Sequence, residues 1–205
     1  MGDRWLKPVI ALAACIPALR LVVKIVTYDF AADPVRETEI FTGLSTLILL
    51  FCTLAVTPVR RLTGWNALIK VRRMLGLFTF GYVLVHASMY FVFDHSLDPG
   101  EIAMDVIKHP WVMAGFTAFL LLIPLAVTST SGWVRRLGGK RWQRLHRLVY
   151  VIGLLGVVHF LWLVKKDVRE PLIYGAVLLV LLAARLWKPG RLRVRAPVAA
   201  PAGEQ

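Results

Sequence analysis

Acidic residues are scarce in this chain: twelve Asp and Glu stand against 25 Lys and Arg, a formal net charge of +13 over 205 residues. Charge of either sign is also thin, at 18% of the chain against 58% hydrophobic residues. A soluble domain of this size would alternate apolar and polar faces, and that pattern is missing. Alternating ten-residue segments are absent too, which excludes a membrane β-barrel. No Gly-x-Gly-x-x-Gly segment occurs, and no soluble stretch is large enough for a nucleotide-binding domain. Cysteine is limited to Cys15 and Cys52; a disulfide between them would have to form in apolar surroundings, so both read as buried thiols.

What the chain does have is long apolar runs: Val9 to Val26, Ile40 to Val56, Met74 to Phe93, Trp111 to Val127, Leu148 to Val164 and Leu172 to Leu186. A helix needs roughly 20 such residues to cross about 30 Å of hydrocarbon, and flanking Arg, Lys and Trp extend the shorter runs to the interface. The fold class is therefore an all-α integral membrane protein, a six-transmembrane-helix bundle. The seven tryptophans, Trp5, Trp65, Trp111, Trp133, Trp142, Trp162 and Trp187, stand at or near the run ends as an interfacial belt would.

Charge placement orients the bundle. With both termini cytoplasmic, the inner segments hold eighteen Lys and Arg, from Arg4 and Lys7 through Arg60, Arg72, Arg73, Arg135 and Arg147 to Arg195. The outer connectors hold only Arg36, Lys108, Lys165, Lys166 and Arg169 against ten acids between Asp29 and Glu170. The positive-inside rule selects that topology. The net charge then reads as a topology signal and an affinity for anionic membrane lipid; no basic and aromatic stripe points to nucleic acid.

Two segments could mislead. Leu12-Ala13-Ala14-Cys15 imitates a lipoprotein signal, yet Ile16, Pro17, Ala18 and Leu19 continue the apolar core past it, so helix one is expected to stay attached. Residues 188–205 are rich in Arg, Pro and Ala without apolar period and read as a disordered cytoplasmic tail after a transmembrane domain over residues 1–187.

Ionisable residues within a bilayer are costly and mark function. His86 and His159 each follow the start of their helix by about a dozen residues, and both helices run outward, which puts the two imidazoles at one depth about 18 Å from the inner edge. Two facing histidines at one level can clamp a haem iron, held by axial imidazoles and apolar walls. No Cys-x-x-Cys-His supports covalent c-type attachment. Gly76, Gly81, Gly153 and Gly156 would let a flat macrocycle approach these two helices. The bland reading of two unrelated histidines bonded to neighbouring helices stays open. His146 lies thirteen residues before His159, on a face roughly 140° away unless helix five begins after it or bends near Gly153 and Gly156. Arg72, fourteen residues before His86, shares that histidine's face and suits a haem propionate or flavin phosphate. Arg20 and Lys24 in helix one are expected to meet a propionate or quinone headgroup, or to snorkel outward. His95 and His109, in an acidic outer connector, read as surface residues beside a docking face for a redox partner.

The strings Arg72-Arg73-Met74-Leu75-Gly76-Leu77 and Trp142-Gln143-Arg144-Leu145-His146-Arg147-Leu148-Val149-Tyr150, with the segment around His86 between them and His159 beyond, resemble the MsrQ (YedZ) family. That family lies within the ferric-reductase-like transmembrane group, which includes the membrane part of NADPH oxidases, and the resemblance covers about residues 5–187. It implies a haem b-binding subunit, with FMN as a second cofactor. Electrons would come from quinol or a cytosolic flavin reductase and pass to MsrP, a periplasmic molybdopterin enzyme that reduces methionine sulfoxide in oxidised proteins. The family's ligand histidines fall on His86, His146 and His159; Arg72 or Arg73 stands where the wider oxidase pattern has a fourth histidine. Arg20, Arg72 and Arg73 are the expected cofactor-binding cations. A stand-alone ferric or cupric reductase is the alternative within redox chemistry. A small transporter is the alternative outside it, although no matched pair of interrupted helices is visible.

Overall fold

The computed structural model of the chain describes residues 4–164 and 167–186. Lys165, Lys166, Trp187 and the expected tail at 188–205 lie outside the described residues. Among those described, every regular element is helical. In chain order they are α1 (Leu6–Thr27), α2 (Pro34–Thr63), α3 (Ile69–Met89), α4 (Pro99–Lys108), α5 (Pro110–Val127), α6 (Ser131–Leu137), α7 (Gly139–His146), α8 (Leu148–Leu163) and α9 (Arg169–Leu186). Five stretches are long and apolar enough to cross a membrane: α1, α2, α3 with its continuation to Asp94, α5, and α7 with α8. The sixth long helix, α9, has 18 residues but includes Arg169, Glu170 and Arg185. The chain is a multi-pass helical membrane protein.

Helix ends follow local chemistry. Asp33 caps α2 by accepting the Arg36 N–H at 3.0 Å, with Pro34 in the first turn where its missing N–H costs nothing. The same helix stops at Gly64, whose φ of 71° is the left-handed conformation that closes a C-terminus. At 30 residues α2 outruns the apolar run Ile40 to Val56 at both ends. The outer connector is not a plain loop, because Asp98 and Pro99 start α4: the Asp98 carboxylate accepts the Gly100 and Glu101 N–H groups at 2.7 and 3.2 Å.

The bundle is organised around α2. Leu47, Leu50, Phe51 and Leu54 face Leu122 and Leu125 of α5, Val149, Ile152 and Val157 of α8 and Leu178 of α9. On the other side, Leu49 and Val56 meet Ala14 of α1 and Val71, Leu75 and Tyr82 of α3. Hydroxyls within α2 stay in their own helix: Thr42, Ser45, Thr46 and Thr53 each donate to the carbonyl four residues back, at 2.6–2.9 Å. The connectors α2–α3 and α5–α8 carry the Arg and Lys at one end, here the basic end. The acidic end carries α1–α2, α4 and α8–α9.

Cys15 and Cys52 are exposed on helix surfaces, not buried as expected. The apolar faces that hold them are directed away from the bundle, as a lipid-facing side is. The outermost element is α1, whose buried residue is Ala14 alone while Val9, Leu12, Ile16, Leu19, Val22 and Val26 are exposed. One clasp fixes it. The Tyr82 hydroxyl donates to the Ala14 carbonyl at 2.7 Å and accepts the Ala18 N–H at 2.9 Å. Those two groups are partners in an unbroken helix, and Pro17 lies between them, so the phenol enters the ladder where it is weakest. Tyr82→Phe removes both bonds and keeps the ring; it should lower the stability of the bundle by about 1–2 kcal/mol. Thermal unfolding in detergent measures this, and an unchanged midpoint would mean that apolar contact and the contacts at the end of α1 hold it without the Tyr82 hydroxyl.

Candidate functional site

His86 on α3 and His159 on α8 face each other, with ring centres 6.2 Å apart and planes at 78°. Each imidazole is carried by one helix and oriented by another. The His86 Nδ1–H donates to the Glu39 carbonyl of α2 at 2.9 Å, and the His159 Nδ1–H donates to the Trp111 carbonyl of α5 at 2.7 Å. A carbonyl oxygen can only accept, so Nδ1 must be the protonated nitrogen and Nε2 keeps its lone pair. That tautomer is the one a metal-ligating histidine uses. Two end-on imidazole–metal bonds of about 2 Å, with the half-width of each ring added, separate ring centres by about 6 Å. The observed 6.2 Å between ring centres matches that separation, so His86 and His159 are the residues that would hold a haem iron.

Two glycines make this approach possible, and sequence reasoning passed over both. A Cβ on Gly43 would lie 3.2 Å from His86 Cε1, and one on Gly115 would lie 2.8 Å from His159 Nδ1. Gly43 comes four residues after Glu39 and Gly115 four residues after Trp111, so each ring crosses the bare glycine to reach the carbonyl one turn earlier. A glycine within an apolar run of a helix without histidine was the available signal. The glycines expected to admit a macrocycle are placed differently. A Cβ on Gly153 would meet Leu178 and Leu54, and one on Gly156 would meet Leu47. Those two are helix-packing positions. A Cβ on Gly76 would lie 3.9 Å from Thr53 Cγ2, and one on Gly81 would meet open space.

Toward the basic end a cavity of about 620 Å³ opens among α2, α3, α5 and α6–α9. Its wall brings together Arg72, Arg73 and His146, and adds Arg135, Trp142 and Arg185. The structure keeps His146 apart from the facing pair. Its helix, α7, ends at His146 and α8 starts afresh at Leu148, so the 140° offset of one continuous helix does not apply. The His146 ring stacks on Trp142 at 3.9 Å and 27°. Its Nδ1 faces the Trp142 carbonyl at 3.1 Å and its Nε2 the Ser129 hydroxyl at 3.4 Å. Among the described residues, no group of three or more His, Cys, Asp or Glu is arranged to hold a metal ion.

Arg20 is not brought to either place. It is exposed on α1 and lines a shallow cleft of about 460 Å³ with Leu19, Val23, Lys24 and Phe41. Lys24 departs from the expected cofactor pairing, since its Nζ donates to Glu37 Oε2 at 2.7 Å. The reason is depth: α1 ends at Thr27, which leaves Lys24 in its last turn beside the start of α2.

At the acidic end, His95 and His109 are not loose surface side chains. Asp105 on α4 accepts from the Tyr90 hydroxyl at 2.8 Å and from His109 Nδ1 at 2.7 Å, and His95 Nε2 lies 3.5 Å away. His109 in turn covers the indole of Trp111, 4.6 Å between centres. The cluster thus braces the residue whose carbonyl orients His159.

The family model described as ferric reductase like transmembrane component matches residues 41–157, from α2 into α8. Fold and facing histidines therefore define a ferric-reductase-like transmembrane component. The chain is 53% identical over 178 residues, 86% of its length and 82% of the relative's, to the protein-methionine-sulfoxide reductase heme-binding subunit MsrQ of Ralstonia nicotianae. It is 48% identical over 184 residues to the protein of the same name from Herminiimonas arsenicoxydans, covering 89% of this chain and 84% of that one. For the Xanthomonas campestris pv. campestris (strain B100) protein of that name the figures are 54% over 157 residues, 77% and 72%. The chain belongs to the MsrQ family. No solved structure matches it.

Two outcomes follow from the geometry. Gly115→Ala places a methyl group against the His159 ring and should destabilise the bundle by about 1–3 kcal/mol; Gly43→Ala, with its longer contact, should cost less. Thermal unfolding ranks them, and equal midpoints would remove the crossing of ring over glycine as a constraint. The second concerns pH. Partial burial works against the charge of Asp105, but hydrogen bonds from Tyr90 and His109 and the nearby charges of His109 and His95 hold its carboxyl below the ordinary value. A lowered carboxyl pKa contributes stability that is present above the ordinary carboxylate range and is lost as pH falls through the lowered value. Hydrogen exchange in α4 should therefore speed up on acidification into that range, and Asp105→Asn should flatten the dependence.

Proposed function

We propose that this protein is the haem b-binding electron-transfer subunit of a methionine sulfoxide reductase system, with His86 and His159 as axial ligands of the haem. The observation that carries this reading is the pair of neighbouring imidazoles, ring centres 6.2 Å apart, each with its Nδ1–H donated to the main chain and its Nε2 left without a main-chain partner. Bound there, a haem supplies a one-electron iron centre whose potential is set by the axial histidines and the apolar surroundings. The chain's own part is to hold both rings in one tautomer, to exclude water with the leucines and valines around them, and to keep the ligand nitrogens at a fixed separation. His86 and His159 would together hold the haem iron, which would then serve electron transfer and not oxygen binding.

The names of the relatives support a partner in methionine sulfoxide reduction. In this reading the basic end faces the cytoplasm of a bacterial inner membrane, and both termini lie there. Quinol or a cytosolic flavin reductase donates electrons. A periplasmic MsrP-like molybdopterin reductase receives them at the acidic end and carries out the sulfoxide chemistry. The cavity with Arg72, Arg73 and His146 is the place for a second cofactor, FMN, at the donor side; its cationic forks match a phosphate.

Purified after expression with ample haem supply, the protein should show haem b absorption that shifts on reduction. His86→Ala and His159→Ala should each abolish that spectrum. Retention of the full spectrum in both variants would sink the assignment.

A further inference from the structure

Helix α1 is tied to its neighbours at two levels. The Tyr82 hydroxyl holds it at Ala14 and Ala18, and the Lys24–Glu37 ion pair holds it near its end. Between those levels no side-chain hydrogen bond joins α1 to another helix among the described residues. A cleft of about 460 Å³ lies in that interval, walled by Leu19 and Val23 of α1 and Phe41 of α2, with Arg20 in it. Lys24 comes one turn after Arg20, and Glu37 one turn before Phe41. The ion pair is therefore on the side of the short α1–α2 connector, and the cleft reaches one turn further along the bundle.

Arg20 is the unmatched member of this arrangement. Among the described residues it has no hydrogen bond, ion pair or ring contact. Glu37, which serves the cation one turn away, has both carboxylate oxygens engaged: Oε2 accepts from Lys24 Nζ and Oε1 from the Ala31 N–H, each at 2.7 Å. A guanidinium on an apolar helix face is costly until a counter-charge or the interface relieves it. The flank of α1 around it is exposed and apolar at Leu19, Val22, Val23 and Val26, as a side turned to acyl chains is. The group that neutralises Arg20 therefore comes from the membrane. A neutral acceptor would leave the charge uncompensated, whereas a guanidinium fork beside an apolar wall matches a phosphodiester with its acyl chains attached. A zwitterionic headgroup brings a cation of its own back to the mouth of the cleft; an anionic one does not.

We propose that the cleft between α1 and α2 binds an anionic phospholipid of the leaflet at the acidic end, with the Arg20 guanidinium donating to the phosphodiester and an acyl chain lying along Leu19, Val23 and Phe41. The lipid fills the interval between the two ties that the chain makes for itself and completes the attachment of α1. It also backs the support of the histidine pair, because Phe41 stands between Glu39, whose carbonyl holds His86, and Gly43, which the His86 ring crosses. The site depends neither on the haem nor on the direction of electron flow.

The test compares the full haem-loaded chain with its Arg20→Leu variant in nanodiscs of phosphatidylcholine alone and of phosphatidylcholine mixed with phosphatidylglycerol, by thermal unfolding and native mass spectrometry. Without anionic lipid the wild type carries an uncompensated cation, so Arg20→Leu should unfold at the higher temperature. With phosphatidylglycerol the order should reverse, the wild type unfolding about 2–4 °C above the variant. Its mass spectrum should then retain one phosphatidylglycerol more than the variant's. The cations at the basic end also attract this lipid, but they are the same in both chains and cancel in the comparison. Reversal of the order together with the extra lipid supports the site. The same order in both membranes, equal midpoints in both, or equal lipid retention overturns it: a variant that is weaker in both membranes means that Arg20 serves the fold through protein contacts, and one that is stronger in both means that no lipid neutralises it. A wild type without haem would strike the histidine assignment alone, since unfolding and lipid retention are read without it.

Discussion

The bond from each imidazole Nδ1–H to a main-chain carbonyl of another helix is the constraint on which the rest depends. In an apolar bundle an unpaired ring nitrogen is expensive, and both lone histidines meet that cost through Glu39 and Trp111. Three properties follow from the same two bonds. The tautomer is fixed, the free nitrogens are both Nε2, and α2 is tied to α3 as α5 is tied to α8. The glycines one turn later, Gly43 and Gly115, are the geometric condition for those bonds. The α4 cluster around Asp105 extends the chain of support outward by bracing Trp111.

A second organising feature is the separation of charge along the bundle axis. Cations gather where α2 meets α3 and where α5 meets α8, and they line a cavity; acids gather around α4 and the α1–α2 turn. Lys24 is the exception that follows the rule, because it lies in the last turn of α1 and is neutralised by Glu37 across a short connector. Among the described residues no Asp or Glu lines the cavity at the basic end with Arg72 and Arg185. The histidine pair lies next to the acidic end, since its rings are held by the carbonyls of Glu39 and of Trp111, the latter packed on His109.

Much of this was legible in the sequence because the membrane simplifies the code. Apolar runs and charge placement mark the helices, and the position of His86 and His159 about a dozen residues after the runs begin at Met74 and Leu148 puts two rings at one level on helices that run the same way. What could not be read was anything that depends on which helix faces which. Gly43 and Gly115 stand on helices without histidine, so counting along α3 and α8 could not find them. Gly153 and Gly156 stand on the right helix but serve its packing against α2 and α9. Arg185 and the Leu54 carbonyl to which it donates, 131 positions apart in chain number, meet only once α9 lies against α2. Cys15 and Cys52 were misjudged for a related reason: in a membrane protein an apolar run has an outward face as greasy as its inward one, and composition does not tell them apart. The Asp98-Pro99 start of α4, by contrast, was an ordinary capping signal within a stretch taken for a plain connector.

Glu39, Trp111, Ala14, Ala18 and Leu54 all contribute main-chain atoms to the contacts that hold the functional side chains. Backbone is indifferent to the side chain it bears, so these bonds leave identity open at Glu39 and Ala18, whereas Leu54, Ala14 and Trp111 are held by their own packing. The burden of invariance falls on their counterparts: the two histidines, Tyr82, Arg185, and the glycines that leave room. In a lineage of such proteins, a contact such as His86 to the Glu39 carbonyl would show variability on one side and fixity on the other, a lopsided pattern that pairwise covariation would fail to detect.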